Sequence, residues 1–343
     1  MFDIDDMLFT SDKIVDIISN KLIEQLKPIS QISFKLDEVN NGVASRIKYT
    51  NVGGYDVYYE DVNHVYYIIK DGLMLPLISV TTLISVFDMP FNTDDMAINC
   101  ANKDVYTCNC LDESDWGIIT IDERVRRIKK AWEENNKIAT EYGTAVHMAC
   151  EYLANNLNMD LNQILDIVVS RCGDVLKDRE LVYKYLVDSR KLLIKYVNEG
   201  YEIIAEPVVV DLMLGCAGQT DLVLINHKTR KIKVLDYKTN AENPVEEKAY
   251  NKMRGLFSHV DSQSFNHYCI QIPYYATMLK NMYKGYEIEE MYLLWFNEQD
   301  EGFKRIDIDG SKWFPEIEKM RNFFKEREIS KRIYDNIKKS ITN

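Results

Sequence analysis

Residues 218–239 read GQTDLVLINHKTRKIKVLDYKT, and the fold follows from how this stretch is parsed. Two strand-like runs, Gly218 to Ile225 and Lys231 to Tyr237, flank the polar Asn226 to Arg230, which is the pattern of an antiparallel hairpin. In the second run a strand's period of two sets Ile232, Val234, Asp236 and Lys238 on one face. An apolar stripe thus ends in two charges. Desolvating them costs free energy, so the break in pattern marks either a paired structural bridge or a working site. The hairpin can bring a second acid, Asp221, beside Asp236, and two carboxylates repel unless a cation lies between them. Oxygen-only ligands favour a hard divalent ion, Mg²⁺ or Mn²⁺, and Mg²⁺ takes one or two carboxylates together with waters and phosphate oxygens. That chemistry is phosphodiester cleavage. Lys238 would then orient or deprotonate the attacking water, or stabilise charge on the phosphoryl oxygens.

Working outward, a further strand-like run from Glu202 to Leu212 carries Glu206. Upstream, residues 122–156 are helical in period with Gly143 interrupting them, and Gly143, His147 and Glu151 share one face at i, i+4, i+8. A lone helical His is usually a core or surface residue, and His147 gains interest only from the carboxylates. Downstream come the polar stretch Thr239 to Asn266, a helix ending near Met282 and a strand from Met291 to Phe296. Gln271 and Tyr275 are spaced i, i+4 on that helix and could contact a DNA backbone or simply cap a packed face. Pro273 lies between them, so the helix is expected to begin only a few residues earlier or to kink.

In order along the chain stand G-x-x-x-H (143–147), Glu206, G-x-x-D (218–221), D-x-K-T (236–239) and Q-x-x-x-Y (271–275). This series resembles the RecB-like branch of the PD-(D/E)XK nuclease superfamily. The flanking text, His64-Val-Tyr-Tyr, Ser79-Val-Thr-Thr and Met253-Arg254-Gly255, is similar to phage-encoded exonucleases of that branch. The resemblance, whose core spans about residues 140–297, implies an α/β fold with a central mixed sheet flanked by helices. It implies His147, Asp221 and Asp236 as metal ligands, Lys238 as the catalytic lysine and Glu206 as a further acid near the metal. Gln271, Tyr275 and Thr239 would meet substrate. It also implies a Mg²⁺- or Mn²⁺-dependent deoxyribonuclease, an exonuclease first. An endonuclease using the same site, or a catalytically silent DNA-binding or recombination scaffold, are the alternatives. Some relatives hold an iron-sulfur cluster with a C-terminal Cys trio, but here no Cys follows Cys269, so no cluster is expected.

The expected organisation is an N-terminal helix, Tyr-rich β-hairpins and a Cys-containing loop over 1–120, the nuclease core over 121–300, and a basic helical segment over 301–343. The N-terminal helix spans 11–27 behind Ser11 or Asp12; Ser79 to Phe87 starts another, Asn92 to Trp116 reads as loop, and Glu180 to Asn198 is amphipathic. Composition fits a soluble globular chain: 343 residues, 46% hydrophobic, 28% charged, net charge −12. That charge excludes a histone-like coating of nucleic acid and requires local basic patches or bound cations for DNA contact. One such patch is Arg124, Arg126, Arg127, Lys129 and Lys130, either a solvated helix face or a rail for DNA. Seven scattered cysteines point to reduced intracellular thiols, and with no leader or membrane span in the text the expected place is the cytoplasm, that of a bacterial host if the chain is phage-encoded. No phosphate-binding G-x-x-x-x-G-K-[ST] is present, so no nucleotide is expected. Cys100, Cys108 and Cys110 with His64 offer a weak zinc pattern, and six tyrosines between 49 and 67 read as strand packing or as base-stacking rings. A homo-oligomer, and a phage recombination or single-strand-binding partner, stay open.

Overall fold

In the computed structural model of the chain, which describes residues 10–25, 47–52, 54–60, 65–70, 73–90, 92–103, 119–173, 175–176, 178–297 and 302–342, strand pairing organises the larger of two compact units. That unit comprises Met1–Met89 and Asp188–Asn343; the other is Pro90–Val187. The fold is mixed α/β, with two mixed sheets flanked by helices.

The first sheet begins with two hairpins, β1 (Ile47–Val52) with β2 (Tyr55–Glu60) and β3 (Val65–Lys70) with β4 (Leu73–Ser79). The sequence places Gly53-Gly54 between β1 and β2 and Asp71-Gly72 between β3 and β4. Tyr58, Tyr59, Tyr66 and Tyr67 are buried, and Tyr59 stacks on Tyr66 at 4.8 Å, so these rings serve as strand packing. β4 hands over to α2 (Val80–Ser85), whose first turn is capped by the Ser79 hydroxyl accepting the Thr82 N–H at 3.0 Å.

The runs expected as single strands over 202–212 and 218–225 are each broken. β5 (Glu202–Ala205) and β6 (Val208–Asp211) pair with β8 (Leu222–Asn226) and β7 (Cys216–Gln219) respectively. Register is continuous, with Ala205 opposite Leu222 and Val208 opposite Gln219. Yet β6 and β7 belong to the six-stranded sheet, order β1-β2-β3-β4-β7-β6, whereas β5 and β8 belong to a five-stranded one. One antiparallel ribbon therefore bends from sheet to sheet at Glu206-Pro207 and Thr220-Asp221. Pro207 has no N–H for a ladder and Glu206 sits at φ +53°, a left-handed conformation rare for a side-chain-bearing residue.

The second sheet continues through β9 (Lys231–Lys238), which lies parallel to β10 (Glu287–Asn297), with β11 (Gly302–Asp307) on its edge. The crossover between the parallel pair is α7 (Ser264–Met282), which touches β9 and β10 of one sheet and β6 of the other. Pro273 lies ten positions into α7, deeper than the sequence led one to expect. Its buried neighbours Ile270, Ile272, Tyr274 and Tyr275 hold the helix on the sheets despite the missing donor. The segment expected to be helical over 301–343 instead opens with strand β11 and then forms two helices, α8 (Gly310–Glu326) and α9 (Ile329–Thr342), divided at Glu328 with φ +48°. Helix α1 (Ser11–Glu24), capped by Thr10 rather than Ser11 or Asp12, packs on α9, with Ile14, Ile18 and Leu22 in one core with Ile329, Ile333 and Ile337.

On the opposite face of β9 from Asp236, Lys233 is buried between Glu289 at 2.9 Å and Glu290 at 2.8 Å, over the rings of Tyr196 and Tyr201. Burial would raise the Glu289 pKa, but hydrogen bonds from Lys231, Tyr201 and Lys233 outweigh it and pull it from 4.5 to about 2. A carboxyl depressed by folding adds stability above its unfolded pKa, and loses it as pH falls through the folded one. Glu289→Gln is therefore expected to cost about 1–2 kcal/mol at pH 7. The difference should close as pH drops from about 4.5 towards 2, read by chemical denaturation across that range.

The second unit is helical: α3 (Thr93–Ala101), α4 (Ile121–Asn155), α5 (Leu161–Cys172) and the start of α6 (Arg179–Asn198). α3 replaces part of the expected loop, because Asn92 caps it and Ala97 and Ala101, four apart, are buried against Ile128. α4 runs unbroken through Gly143. The roughly 1 kcal/mol that glycine costs is small beside the burial of Ala145, Val146, Ala149 and Leu153. Cys108, Cys110 and His64 lie outside the described residues. Among the described residues no helix is long and apolar enough to cross a membrane.

Candidate active site

The ladder between β8 and β9 runs from Leu222 opposite Leu235 to Asn226 opposite Lys231. Carried one step further, that register sets Asp221 opposite Asp236, and opposed residues of antiparallel strands point to one face. The expected meeting of the two acids thus follows from strand pairing. Asp221 lies at the bend of the ribbon, just outside β8, where its Oδ2 accepts the Tyr237 backbone N–H at 2.6 Å. Thr220 beside it donates its hydroxyl to the Leu235 carbonyl at 3.4 Å. Asp236 is only 3% exposed.

Lys238 forms an ion pair with Asp236, and the Tyr268 ring centroid lies 4.5 Å from its ammonium. Burial would depress the Lys238 pKa, but the charges of Asp236 and Asp221 outweigh it, and the ammonium is held above its ordinary value. Thr239, half-buried, follows at the end of β9.

Glu206 occupies the other strand of the bend. Its N–H donates to the Asp221 carbonyl at 2.9 Å and its carbonyl accepts the Gln219 side-chain amide at 3.0 Å. A carboxylate oxygen of Glu206 lies within 4.8 Å of one of Asp221. The expectation of a strand position for Glu206 is corrected to this bend, where the break in the ladder turns its side chain towards the acids.

On α7, Gln271 donates its amide to the Tyr275 hydroxyl at 2.8 Å, as the i, i+4 spacing allows. Tyr275 is buried; burial first, then the negative charges of Asp236 and Asp221, push its hydroxyl well above the ordinary tyrosine range. Its ring covers Gly218, where a Cβ would come within 2.4 Å of Tyr275 Cε1. Gly218→Ala is accordingly expected to push the Tyr275 ring aside. Stability should fall by about 1–3 kcal/mol and cleavage roughly tenfold as Gln271 loses its anchor, read from melting temperature and initial rate.

Two residues of the site were missed in the sequence, and a third, Tyr66, reads there only as strand packing or a stacking ring. Tyr268, at i−3 from Gln271, shares its helical face and donates its hydroxyl to Asn240 Oδ1 at 3.1 Å. Asn240 is held in turn by the Trp295 indole, which donates to its carbonyl at 2.8 Å. Tyr66 on β3 is buried, and after burial itself Tyr275, Tyr59 and Glu206 raise its hydroxyl pKa, so β3 comes near Tyr275 and Glu206. The spacing Tyr268, Gln271, Tyr275 is a signal that could have found the first. The other two depend on tertiary packing.

The remaining predicted residues lie in the helical unit. His147 is half-buried on α4. Arg126 and Arg127 both bind Glu123, at 2.7 and 2.9 Å; Arg124 donates to the Ala101 carbonyl at 3.2 Å and Lys129 pairs with Asp94. These cations are engaged by the protein itself.

Asp221, Asp236 and Glu206 supply oxygen donors only, with more negative charge than one ammonium offsets, which suits a hard divalent cation. A family model of the PD-(D/E)XK nuclease superfamily matches residues 123–338, and the chain belongs to that superfamily. The match takes in every residue from His147 to Tyr275 named above and leaves β1 to β4 outside. No curated protein matches the chain.

Proposed function

We propose that this protein is a Mg²⁺- or Mn²⁺-dependent deoxyribonuclease that works as an exonuclease, acting in the cytoplasm. The observation that carries the nuclease reading is the register that opposes Asp221 to Asp236, with Lys238 next on the same face. Asp221 and Asp236, joined by Glu206 and by His147 from α4, would hold the cation. When bound, the ion acidifies a water and offsets charge on the phosphate. Lys238 orients that water and stabilises the negative charge that grows on the phosphoryl oxygens. Asp236 and the Tyr268 ring hold the lysine in place for this. Gln271, steadied by Tyr275, meets the DNA backbone together with Thr239, and Arg124, Arg126 and Arg127 guide the phosphates by exchanging the Ala101 carbonyl and Glu123 for them. The exonuclease reading draws on the flanking text similar to phage exonucleases.

End-labelled linear DNA and closed circles, each incubated with Mg²⁺ or with EDTA, test this. The expected result is degradation of linear DNA from its ends in Mg²⁺, intact circles, and no reaction in EDTA. Nicked circles would make it an endonuclease. Binding without cleavage under both conditions would make it a silent scaffold.

A further inference from the structure

The two elements that carry the site, β9 and α7, are joined by residues 239–263, and this connection presents a surface the proposed chemistry does not use. Tyr250 on it is 91% exposed, far more than any other large hydrophobic side chain among the described residues. Lys248 and Lys252, two residues to either side, are exposed as well. Among the described residues, none of these three side chains has a hydrogen bond, ion pair or ring contact. Two of the nearby acids are engaged, Glu247 accepting the Ser264 N–H at the start of α7 at 3.0 Å and Glu246 the Asn243 amide at 2.7 Å, while Asp261 stands opposite Lys252.

The backbone beneath Tyr250 is fixed. Lys252 forms a bridge with Asp261, the Met253 N–H donates to the Val260 carbonyl and the Ser262 N–H to the Asn251 carbonyl, both at 2.9 Å. Upstream, Trp295 and Tyr268 pin Asn240. A water-facing ring between two uncommitted ammonium groups thus stands on an anchored segment, between Lys238 and Gln271 in the chain. The ring forgoes the burial that Tyr274, Tyr275 and Tyr292 have. In a chain of net charge −12, two unpaired lysines beside it form a local site for anionic phosphates.

We propose that Tyr250 is a stacking platform for an unpaired nucleobase, with Lys248 and Lys252 holding the phosphates on either side, so that the strand fed to the acids is single-stranded there. The inference deepens the nuclease reading and rests on it for the destination of the strand. Stacking suits a sequence-tolerant enzyme, since every base offers a π-face. A duplex keeps its bases inside and gives Tyr250 nothing to stack on.

The test uses the full chain in EDTA, where no cleavage interferes, and the anisotropy of a fluorescein-labelled oligo(dT) strand and of a blunt duplex. Tyr250→Ala is expected to weaken oligo(dT) binding about 5- to 100-fold. Tyr250→Phe should stay within about twofold, and duplex binding should barely change in either. Lys248→Ala and Lys252→Ala should each lower the salt slope for the single strand by about 0.7. Unchanged oligo(dT) affinity in Tyr250→Ala overturns the proposal. So do equal losses on strand and duplex, or a Tyr250→Ala chain that alters the protein's own sedimentation, since the ring would then be covered by a second copy. The two readings fail separately. A chain that binds oligo(dT) through Tyr250 yet never cuts DNA overturns the nuclease reading, whereas one that cuts DNA with Tyr250→Ala binding unchanged overturns this one.

Discussion

Asp236→Asn is expected to lower DNA cleavage by roughly a thousandfold or more, while the chain keeps its secondary structure. The substitution keeps the side chain's volume in a tightly packed strand but removes one of two opposed carboxylates, and with it the charge that binds a divalent ion. Some loss of stability accompanies it, because the Lys238 ammonium loses its partner in a nearly buried setting. Circular dichroism and a melting curve must therefore show a folded variant before its rate is read. Lys238→Ala is the mirror experiment, expected to cost about 10²- to 10⁴-fold in rate. Here Asp221 and Asp236 face each other without the ammonium, so a bound cation relieves more repulsion. Added Mg²⁺ should raise the melting temperature of Lys238→Ala by more than it raises that of the unaltered chain. A wild-type rate in either variant would remove these residues from the chemistry.

The largest effect on stability is expected from Arg321→Met. Asp211, at the end of β6, is 3% exposed; its Oδ1 accepts the N–H groups of Met213 and Leu214 at 3.0 and 3.3 Å. Its Oδ2 accepts from Arg321 Nε at 2.9 Å and from the Tyr274 hydroxyl at 3.4 Å. Arg321 belongs to α8, so one buried carboxylate ties together a hairpin turn, α7 and α8. Removing the guanidinium leaves that charge buried without a countercharge, a loss of about 3–5 kcal/mol. Against the roughly 5–15 kcal/mol that holds a typical domain together, this is severe. The urea midpoint should fall accordingly, and adding Asp211→Asn should recover more than half of the loss by removing the stranded charge. If Arg321→Met stays within about 1 kcal/mol of the parent, the Arg321–Asp211 pair does not hold these elements together.

The sequence revealed the acids because their signal is local: period-two alternation ending in charge, and a short hairpin whose register is set by its own turn. The bend at Glu206-Pro207 and Thr220-Asp221 was hidden for the converse reason. Pairing on both sides of it keeps one register, so Glu202 to Leu212 looks like a single strand, and only Pro207 marks the change of sheet. Helix α5 had its signals in the text, an Asp160 cap, Leu161, Ile164, Leu165 and Val168 on one face, and Gly173 at its end. Gly143 and Pro273 were given too much weight, since a local cost of about 1–3 kcal/mol does not end a helix whose neighbours are buried. The support given to Lys238 by Tyr268 and Asn240 joins residues far apart along the chain. No spacing rule reports that.

The pairing of α1 with α9 bears on how the molecule is made. Ile14, Ile18 and Leu22 are translated about 310 residues before Ile329, Ile333 and Ile337, which share their core. At about 5–20 residues per second the wait is roughly 15–60 s, during which the part of the apolar stripe that α9 covers stays open on the nascent chain. This layer therefore closes only after the rest of the unit has been made, and α1 is a natural client for a holding chaperone until α9 emerges.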